Sequence, residues 1–238
     1  MLQFTISFWF EYTFDKFQRD IYPQFKVNEL KRFPINEAED RFFEKKIIKG
    51  VEKIVSKKKR FNKLKNIKFS KLTLKYTSKL GFNLENIIKN SNFTNEIYSG
   101  RARKIRNYTI NINTNIVTIY LDKSSSGKYE VLKFEEDNRY KRQYLKYYLE
   151  NLTDEQLAEI DEKYSGNILK KTLQIEIPDY DKEHVVKKVV KEWKDLQQEI
   201  KDLENEIDKI DRGIDRMVYK LYDLTDEEIQ IVEDSLDS

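Results

Sequence analysis

The sequence predicts an α+β protein, in which a small antiparallel sheet with flanking helices precedes a long C-terminal helix that packs on another helix. Two observations support this prediction. Three β-branched and aromatic segments, NYTININ, NIVTIYL and KYEVLKF, follow one another between short turn sequences, as in a meander. An apolar seam with heptad-like spacing then runs from Val186 to Leu221, over roughly 50 Å of helix.

The composition is that of a globular chain with a highly charged surface. The 238 residues are 39% hydrophobic and 37% charged, and they include 15 Tyr and 14 Phe, which argues against disorder. The absence of cysteine excludes disulfides, thiolate metal sites and a cysteine nucleophile, and it fits a reducing cytoplasm. Since no apolar run reaches about 18 residues, we expect no membrane span and no membrane partner.

Positive charge is concentrated in one part of the chain. Segment 41–110 holds twenty Lys and Arg against four Glu, although the net charge of the whole chain is only +3. Segment 182–238 holds ten basic and seventeen acidic residues. This separation is typical of nucleic-acid-binding proteins, although a solvated lysine-rich surface gives the same composition.

The elements before the sheet are a strand, a connector and a helix. Strict apolar alternation over 2–14 has the period of a strand, whereas Trp9 and the length of the run are also compatible with a helix. Two prolines bound YPQFKVNELKRFPI, at 22–35, which we interpret as a structured connector. A helix is predicted from Asn36 to Arg60, because apolar residues recur at helical spacing and acidic residues occupy its first turn.

The remaining elements follow from local patterns. The three strands are predicted at 107–113, 115–121 and 128–134, with one face of the sheet packed. We expect a short helix at 84–89 and a further strand at 170–178. A helix is predicted at 138–152, and two capping boxes start later helices, each worth about 1 kcal/mol. These boxes pair Thr153 with Gln156 and Thr225 with Glu228.

The seam of the long helix cannot face water and needs a partner. The candidates are the helix at 36–60, a second copy of the chain in a homodimer, or a separate domain. The helix at 36–60 is net basic and segment 195–215 is net acidic. An antiparallel pairing of these two segments is therefore electrostatically favourable.

Residue types for catalysis are sparse. The single histidine, His184, lies near the start of the long helix, and no glycine-rich phosphate loop is present. Carboxylate runs at 135–137 and 179–183 lie at element ends, where capping and solvent-exposed roles are usual. We therefore predict no catalytic, cofactor-binding or metal-binding residue in this chain.

Basic stretches at 99–110 and 56–68, and lysines at the loop 122–127, are candidates for phosphate contact. Arginines at the entry to a strand suit bidentate phosphate binding, whereas a salt-bridged loop or a solvated helix end is the structural alternative. In NRYKRQYLKYY the tyrosines have helical spacing, which favours core packing over base stacking. The predicted nucleic-acid-binding residues are Arg101, Arg103, Lys104, Arg106, Lys57, Lys58, Lys59, Arg60, Lys123 and Lys128.

Three stretches resemble one known family, the adenine-specific DNA methyltransferases of the type IIG restriction-modification class. FWFEYTFDKFQRDIYPQFKVNELKRFPI is similar to the junction between their catalytic and target recognition domains. SGRARKIRNYTI resembles the basic segment ahead of the recognition strands, and IDRMVYKLYDLTDEEIQIVEDS resembles the C-terminal signature. The chain thus resembles the TaqI-like C-terminal specificity domain of these enzymes.

The resemblance implies a double-stranded DNA target recognition module, as the C-terminal part or a split subunit of such an enzyme. The family's methyl-donor-binding loop and Asn-Pro-Pro-aromatic motif are absent from the sequence. We therefore expect S-adenosylmethionine and catalysis on a methyltransferase domain or subunit that is the partner of this chain. Residues 1–35 would be the junction with that domain, 36–180 the recognition domain, and 181–238 a coiled-coil-like helix with a capped terminal helix.

Three other classes of protein fit the same sequence, one of which is an enzyme that itself methylates or cleaves DNA. A coiled-coil interaction or scaffold protein would carry the basic surface incidentally and would form a dimer through the seam. An RNA-binding module would prefer single strands.

Overall fold

The computed structural model describes residues 41–76, 81–98, 104–123 and 126–234. The predicted strand at 2–14, the connector at 22–35 and the helix start at Asn36 lie outside these ranges. The α+β class is confirmed, as is the packing of a long C-terminal helix on another helix. In chain order the elements are α1 (Arg41–Lys65), α2 (Phe69–Thr73), β1 (Phe82–Asn83), α3 (Leu84–Lys89), β2 (Thr94–Glu96), β3 (Tyr108–Asn113), β4 (Ile116–Asp122), β5 (Lys128–Glu135), α4 (Arg139–Glu150), α5 (Asp154–Lys163), α6 (Ile168–Leu173), β6 (Glu176–Ile177), α7 (Glu183–Leu221) and α8 (Asp226–Asp234).

Four strands form an antiparallel sheet in the order β2-β5-β4-β3. The meander of β3, β4 and β5 is confirmed within one residue at each predicted end. A bulge between Ile119 and Tyr120 shifts the register of β4 against β5, which locally increases the twist. The strand β2 was not predicted, because its three exposed residues lack apolar alternation and only pairing with β5 defines it.

One face of this sheet packs on the core, as predicted. The residues of that face are at most 3% exposed, and they are Tyr108, Ile110, Val117, Ile119, Leu121, Leu132 and Phe134. On the opposite face Asn111 and Asn113 are exposed. Side chains alternate across a strand, so the core residues and these two asparagines lie on opposite faces.

The outer edge of β3 is covered by side chains of α4. The Ile110 N–H donates to the Glu150 carboxylate at 2.8 Å, and Lys146 Nζ donates to the Ile110 carbonyl at 2.8 Å. Lys146 and Glu150 also pair with each other at 2.7 Å, one helical turn apart. The ion pair therefore takes the place that a fifth strand would occupy at this residue.

Aromatic rings join three helices in the core beneath the sheet. The Phe69 ring of α2 lies 5.5 Å from the Tyr144 ring of α4 and 5.3 Å from the Trp193 ring of α7, both edge-on. Tyr144 is fully buried and donates a hydrogen bond to the Pro178 carbonyl at 2.8 Å. The core packing predicted for the tyrosine-rich helix is confirmed at this residue.

Side-chain caps begin the later helices. Both predicted capping boxes form: Thr153 with Gln156 at α5, and Thr225 with Glu228 at α8. The predicted strand at 170–178 is wrong, because α6 occupies its first part and only β6 is extended. The Asn167 side chain caps α6 by accepting from the Lys170 N–H at 2.9 Å, and strand-favouring residues cannot override that start.

The long helix α7 pairs with α1 in an antiparallel arrangement, the first of the predicted partners. Ile54 of α1 shares a buried cluster with Ile207 and Ile214 of α7. Gly50 brings the helices close, because a Cβ there would lie 3.0 Å from two side-chain atoms of Ile214. The helix α1 ends at Lys65 rather than at Arg60, since no glycine or proline stops it earlier.

The described part of the chain forms two compact units, 41–63 with 200–234, and 64–199. The first contains the described parts of α1 and α7 that pair with each other, together with α8. The second contains the sheet and the aromatic core. The predicted division at 35 and 180 stays a prediction. Within the described ranges, no helix combines the length and apolar character needed to cross a membrane.

Candidate nucleic-acid interface

The ten predicted phosphate-binding residues fall into separate groups. Arg101 and Arg103 lie outside the described residues. Four others, here called the sheet-end cations, lie at the end of the sheet where β3 and β5 begin and β4 ends: Lys104, Arg106, Lys123 and Lys128. The last four, Lys57, Lys58, Lys59 and Arg60, lie on α1 in the other unit.

Backbone hydrogen bonds build the sheet end. The Asp122 N–H donates to the Asn107 carbonyl at 3.1 Å, which fixes the entry to β3 beside the exit from β4. The Lys123 N–H donates to the Gly127 carbonyl at 3.0 Å and closes the β4–β5 turn. Gly127 has φ +109°, a left-handed conformation that favours glycine. The Lys123 ammonium lies 4.7 Å from the centre of the Tyr129 ring.

Three sheet-end cations share one concavity. Lys104, Arg106 and Lys123 line a shallow cavity of about 650 Å³ between the sheet end and α5. Lys104 and Arg106 are exposed, and Lys123 is half-buried. The structure thus brings together cations that are up to 19 positions apart in the sequence.

Carboxylates also line this cavity, so its charge is mixed. They belong to Asp122, Asp154, Asp161 and Glu162. The Asp161 carboxylate is engaged by the Ile105 N–H at 2.9 Å and by Lys171 Nζ at 2.6 Å. Lys171 is only 7% exposed, and its charge offsets that of Asp161. Part of the negative charge of the cavity is therefore neutralised by the buried Lys171.

The basic run on α1 is partly used for helix pairing. The Lys57 ammonium forms an ion pair with the Glu206 carboxylate of α7. The Lys57 hydrogen bond and charge lower the pKa of Glu206 below its usual value. Lys58 and Lys59 are exposed. Lys57 therefore has a structural role, and its neighbours remain accessible.

A second basic surface, which was not predicted from the sequence, is formed by α4 and the first half of α7. Its residues, here called the helical cations, are Arg139, Lys187, Lys188, Lys191 and Lys194. Arg139 donates a hydrogen bond to the Tyr140 hydroxyl at 2.7 Å, and its guanidinium lies 4.6 Å from that ring centre. The Lys187 ammonium lies 5.4 Å from the same ring centre. The Tyr140 ring thus has two cations close to it, Arg139 and Lys187.

The spacing of lysines in the sequence indicates this surface. In KKVVKEWK the lysines are spaced by three and four residues, opposite the valines and Trp193 of the seam. Counting charge over the whole segment 182–238 hides this row, because the second half of α7 is acidic.

The carboxylate runs have structural roles, as the sequence suggested. The Glu136 side chain accepts from the Asn138 N–H at 2.9 Å and also from the Tyr180 hydroxyl. Asp179 pairs with Lys182 at 2.6 Å. In the part of the chain that the structure describes, no group of three or more His, Cys, Asp or Glu side chains could hold a metal ion. His184 is exposed at the start of α7.

Comparison of the chain with protein families, with curated proteins and with solved structures gives no match.

Proposed function

We propose that the chain is a double-stranded DNA target recognition module. It acts in the cytoplasm and holds DNA for the catalytic domain of an adenine-specific methyltransferase in a restriction-modification system. The observation that carries the proposal is the meeting of Lys104, Arg106 and Lys123 at one end of the sheet. The resemblance of both ends of the sequence to such enzymes supports the same function.

Phosphate contact is the role of the sheet-end cations. Contacts to the DNA backbone give affinity and fix orientation, and they need exposed cations on a rigid support. Lys104 and Arg106 flank Ile105, which is 7% exposed and anchored through its N–H to Asp161. The buried residue holds the segment in place, so that both neighbouring side chains point towards solvent. Adenine methylation requires the base to leave the stack, and a separate module keeps the duplex in register.

Base contact is assigned to the open face of the same sheet. Asn111 and Asn113 are exposed there, and a shallow concavity of about 410 Å³ lies between them and Tyr120. Within the described residues, the Asn111 side-chain amide has no hydrogen-bond partner. A side-chain amide can pair with the edge of adenine through two hydrogen bonds. These two asparagines are the proposed source of sequence preference.

Duplex binding at increasing salt tests the proposal. We expect fluorescence anisotropy of a labelled duplex to show affinity that falls steeply with salt, because phosphate contacts release counterions. The variant Lys104→Gln/Arg106→Gln/Lys123→Gln is expected to reduce the slope of log K against log salt by about 0.9 for each phosphate that is no longer neutralised. Lys89→Gln is the control, since Lys89 is exposed on α3 and pairs with Glu85 at 3.2 Å.

Three outcomes would contradict the proposal. Absence of duplex binding at low salt would remove its basis. Preference for single strands would favour RNA binding instead. A defined dimer in sedimentation, together with indifference to nucleic acid, would favour the coiled-coil scaffold.

A further inference from the structure

A row of lysines on α7 has no ion-pair partner among the residues that the structure describes. Lys187, Lys188, Lys191 and Lys194 are all exposed. Among the described residues, no carboxylate oxygen lies within 4.0 Å of their ammonium groups. Since each residue advances a helix by about 1.5 Å, the row is roughly 10 Å long.

The helix that carries this row is held rigidly by the core. Val186, Val189 and Val190 are fully buried, and Trp193 is 7% exposed. These residues alternate with the lysines, so that burial of one side of α7 fixes the other side towards solvent. The lysines therefore form a surface whose backbone is ordered before any ligand binds.

The start of α4 extends the surface. Arg139 and Lys187 approach the Tyr140 ring from two different helices, and the Lys188 ammonium lies 4.7 Å from the centre of the Tyr76 ring. The Arg139 hydrogen bond, with the charges of Arg139, Lys187 and Lys194, lowers the pKa of Tyr140.

Negative charge near the row is limited. On α7 the nearby carboxylates are those of Glu183, Glu192 and Asp195. Glu192 accepts a hydrogen bond from the Tyr76 hydroxyl and lies 3.9 Å from Lys75 Nζ, so it is already engaged. The net charge of the surface is therefore positive.

We propose that the helical cations are a second binding surface for the phosphate backbone of nucleic acid, separate from the sheet-end cations. This inference rests on the DNA-binding function proposed above. A row of ammonium groups matches a continuous polyanion, and it needs no pocket and no base contact. A membrane surface is disfavoured, because the apolar side of α7 is buried here and cannot enter a bilayer.

Charge removal on α7 tests the surface. The full chain with Lys187→Gln, Lys188→Gln, Lys191→Gln and Lys194→Gln is titrated into a labelled mixed-sequence duplex between about 50 and 200 mM salt. We expect binding at least about tenfold weaker than wild type at intermediate salt, with a reduced salt slope. The control is Lys201→Gln/Lys209→Gln, because both lysines are exposed on the same helix outside the row.

The outcomes separate the two proposals. If the quadruple variant binds the duplex with the affinity and the salt slope of wild type, the proposal of a second surface is wrong and the DNA-binding function stands. If wild type does not bind, both proposals fail. Equal affinity of wild type for poly-glutamate and for the duplex would contradict the choice of nucleic acid. If the quadruple variant folds poorly, the single substitution Lys191→Glu at the centre of the row is tested instead. It is likewise expected to weaken duplex binding, and unchanged binding would contradict the second surface.

Discussion

At the scale of single residues, Asp161 connects two parts of the sheet-end site. Its carboxylate accepts from the Ile105 N–H ahead of β3 and from Lys171 of α6. Lys171 is buried, and the Asp161 carboxylate offsets its charge. The segment that presents Lys104 and Arg106 is consequently held by the hydrogen bond from Ile105 to Asp161 rather than by strand pairing.

Removing this carboxylate is expected to be costly. Asp161→Ala removes the carboxylate that pairs with the buried Lys171 ammonium, and the loss of one partner of such a pair lowers the free energy of unfolding by about 3 kcal/mol. Urea unfolding measures the effect. Lys163→Ala is the matched control, because its ion pair with Glu176, at 3.5 Å, is more exposed and therefore contributes less to stability. Equal destabilisation of the two variants would contradict the structural role of Asp161.

Asp215, on the second half of α7, is a buried carboxyl of a different kind. It is 4% exposed, and its Oδ1 has no hydrogen-bond partner within the described ranges. Burial, with the negative charge of Asp211, raises its pKa from 3.8 to about 6. The folded state thus binds this proton more tightly than the unfolded state does.

The raised pKa of Asp215 predicts that the free energy of unfolding rises as the pH falls from about 7 towards 4. A group whose folded pKa is raised stabilises the fold fully below its unfolded value, and this contribution is lost as the pH rises through about 6. Asp215→Asn should raise the free energy of unfolding at pH 7 by about 1 kcal/mol and flatten this dependence. Chemical unfolding at several pH values checks it. A variant with unchanged pH dependence would show that other groups are responsible.

At the scale of elements, glycines distinguish the inner and outer sides of the long helices. Gly50 of α1 faces Ile214, whereas a Cβ on Gly213 of α7 would meet no atom of the described residues within 4 Å. Glycine weakens a helix by about 1 kcal/mol relative to alanine. The glycine at 50 is therefore explained by close packing, and nothing in the structure explains the one at 213.

The two positions predict opposite effects. Gly50→Leu should lower the free energy of unfolding by about 1 to 3 kcal/mol, because the added atoms overpack the contact with Ile214. Gly213→Ala should raise it by up to about 1 kcal/mol through helix propensity alone. Thermal and urea unfolding of both variants test this. Stabilisation by Gly50→Leu would contradict the close approach of α1 and α7.

Elements with strong local signals could be predicted from the sequence, and those defined by their neighbours could not. The seam of α7 and the box of Thr153 with Gln156 are local patterns, and both were predicted correctly. The strand β2 exists only through pairing with β5, and α6 depends on its Asn167 cap. A β-branched or apolar sequence such as TLQIEI favours a strand, but tertiary contacts and a cap outweigh that preference.

At the scale of the whole molecule, charge summed along the chain proved a poor guide to charged surfaces. It identified the basic segment 41–110, yet Lys57 is engaged with Glu206 and the sheet-end cavity is of mixed charge. Meanwhile the helical cations lie partly in a segment that is net acidic. Surfaces depend on which face of each helix is buried, and a sum over sequence does not contain that information.

The ion pair of Lys146 and Glu150 at the edge of β3 affects how the sheet can pair with other copies of the protein. An open strand edge offers the same unpaired groups to any extended chain, including another copy of the protein. Here the chain satisfies both backbone groups of Ile110 itself, and the opposite edge strand has only three residues. At this position another molecule therefore finds both backbone groups of the edge strand already bonded, which hinders the start of strand exchange between copies.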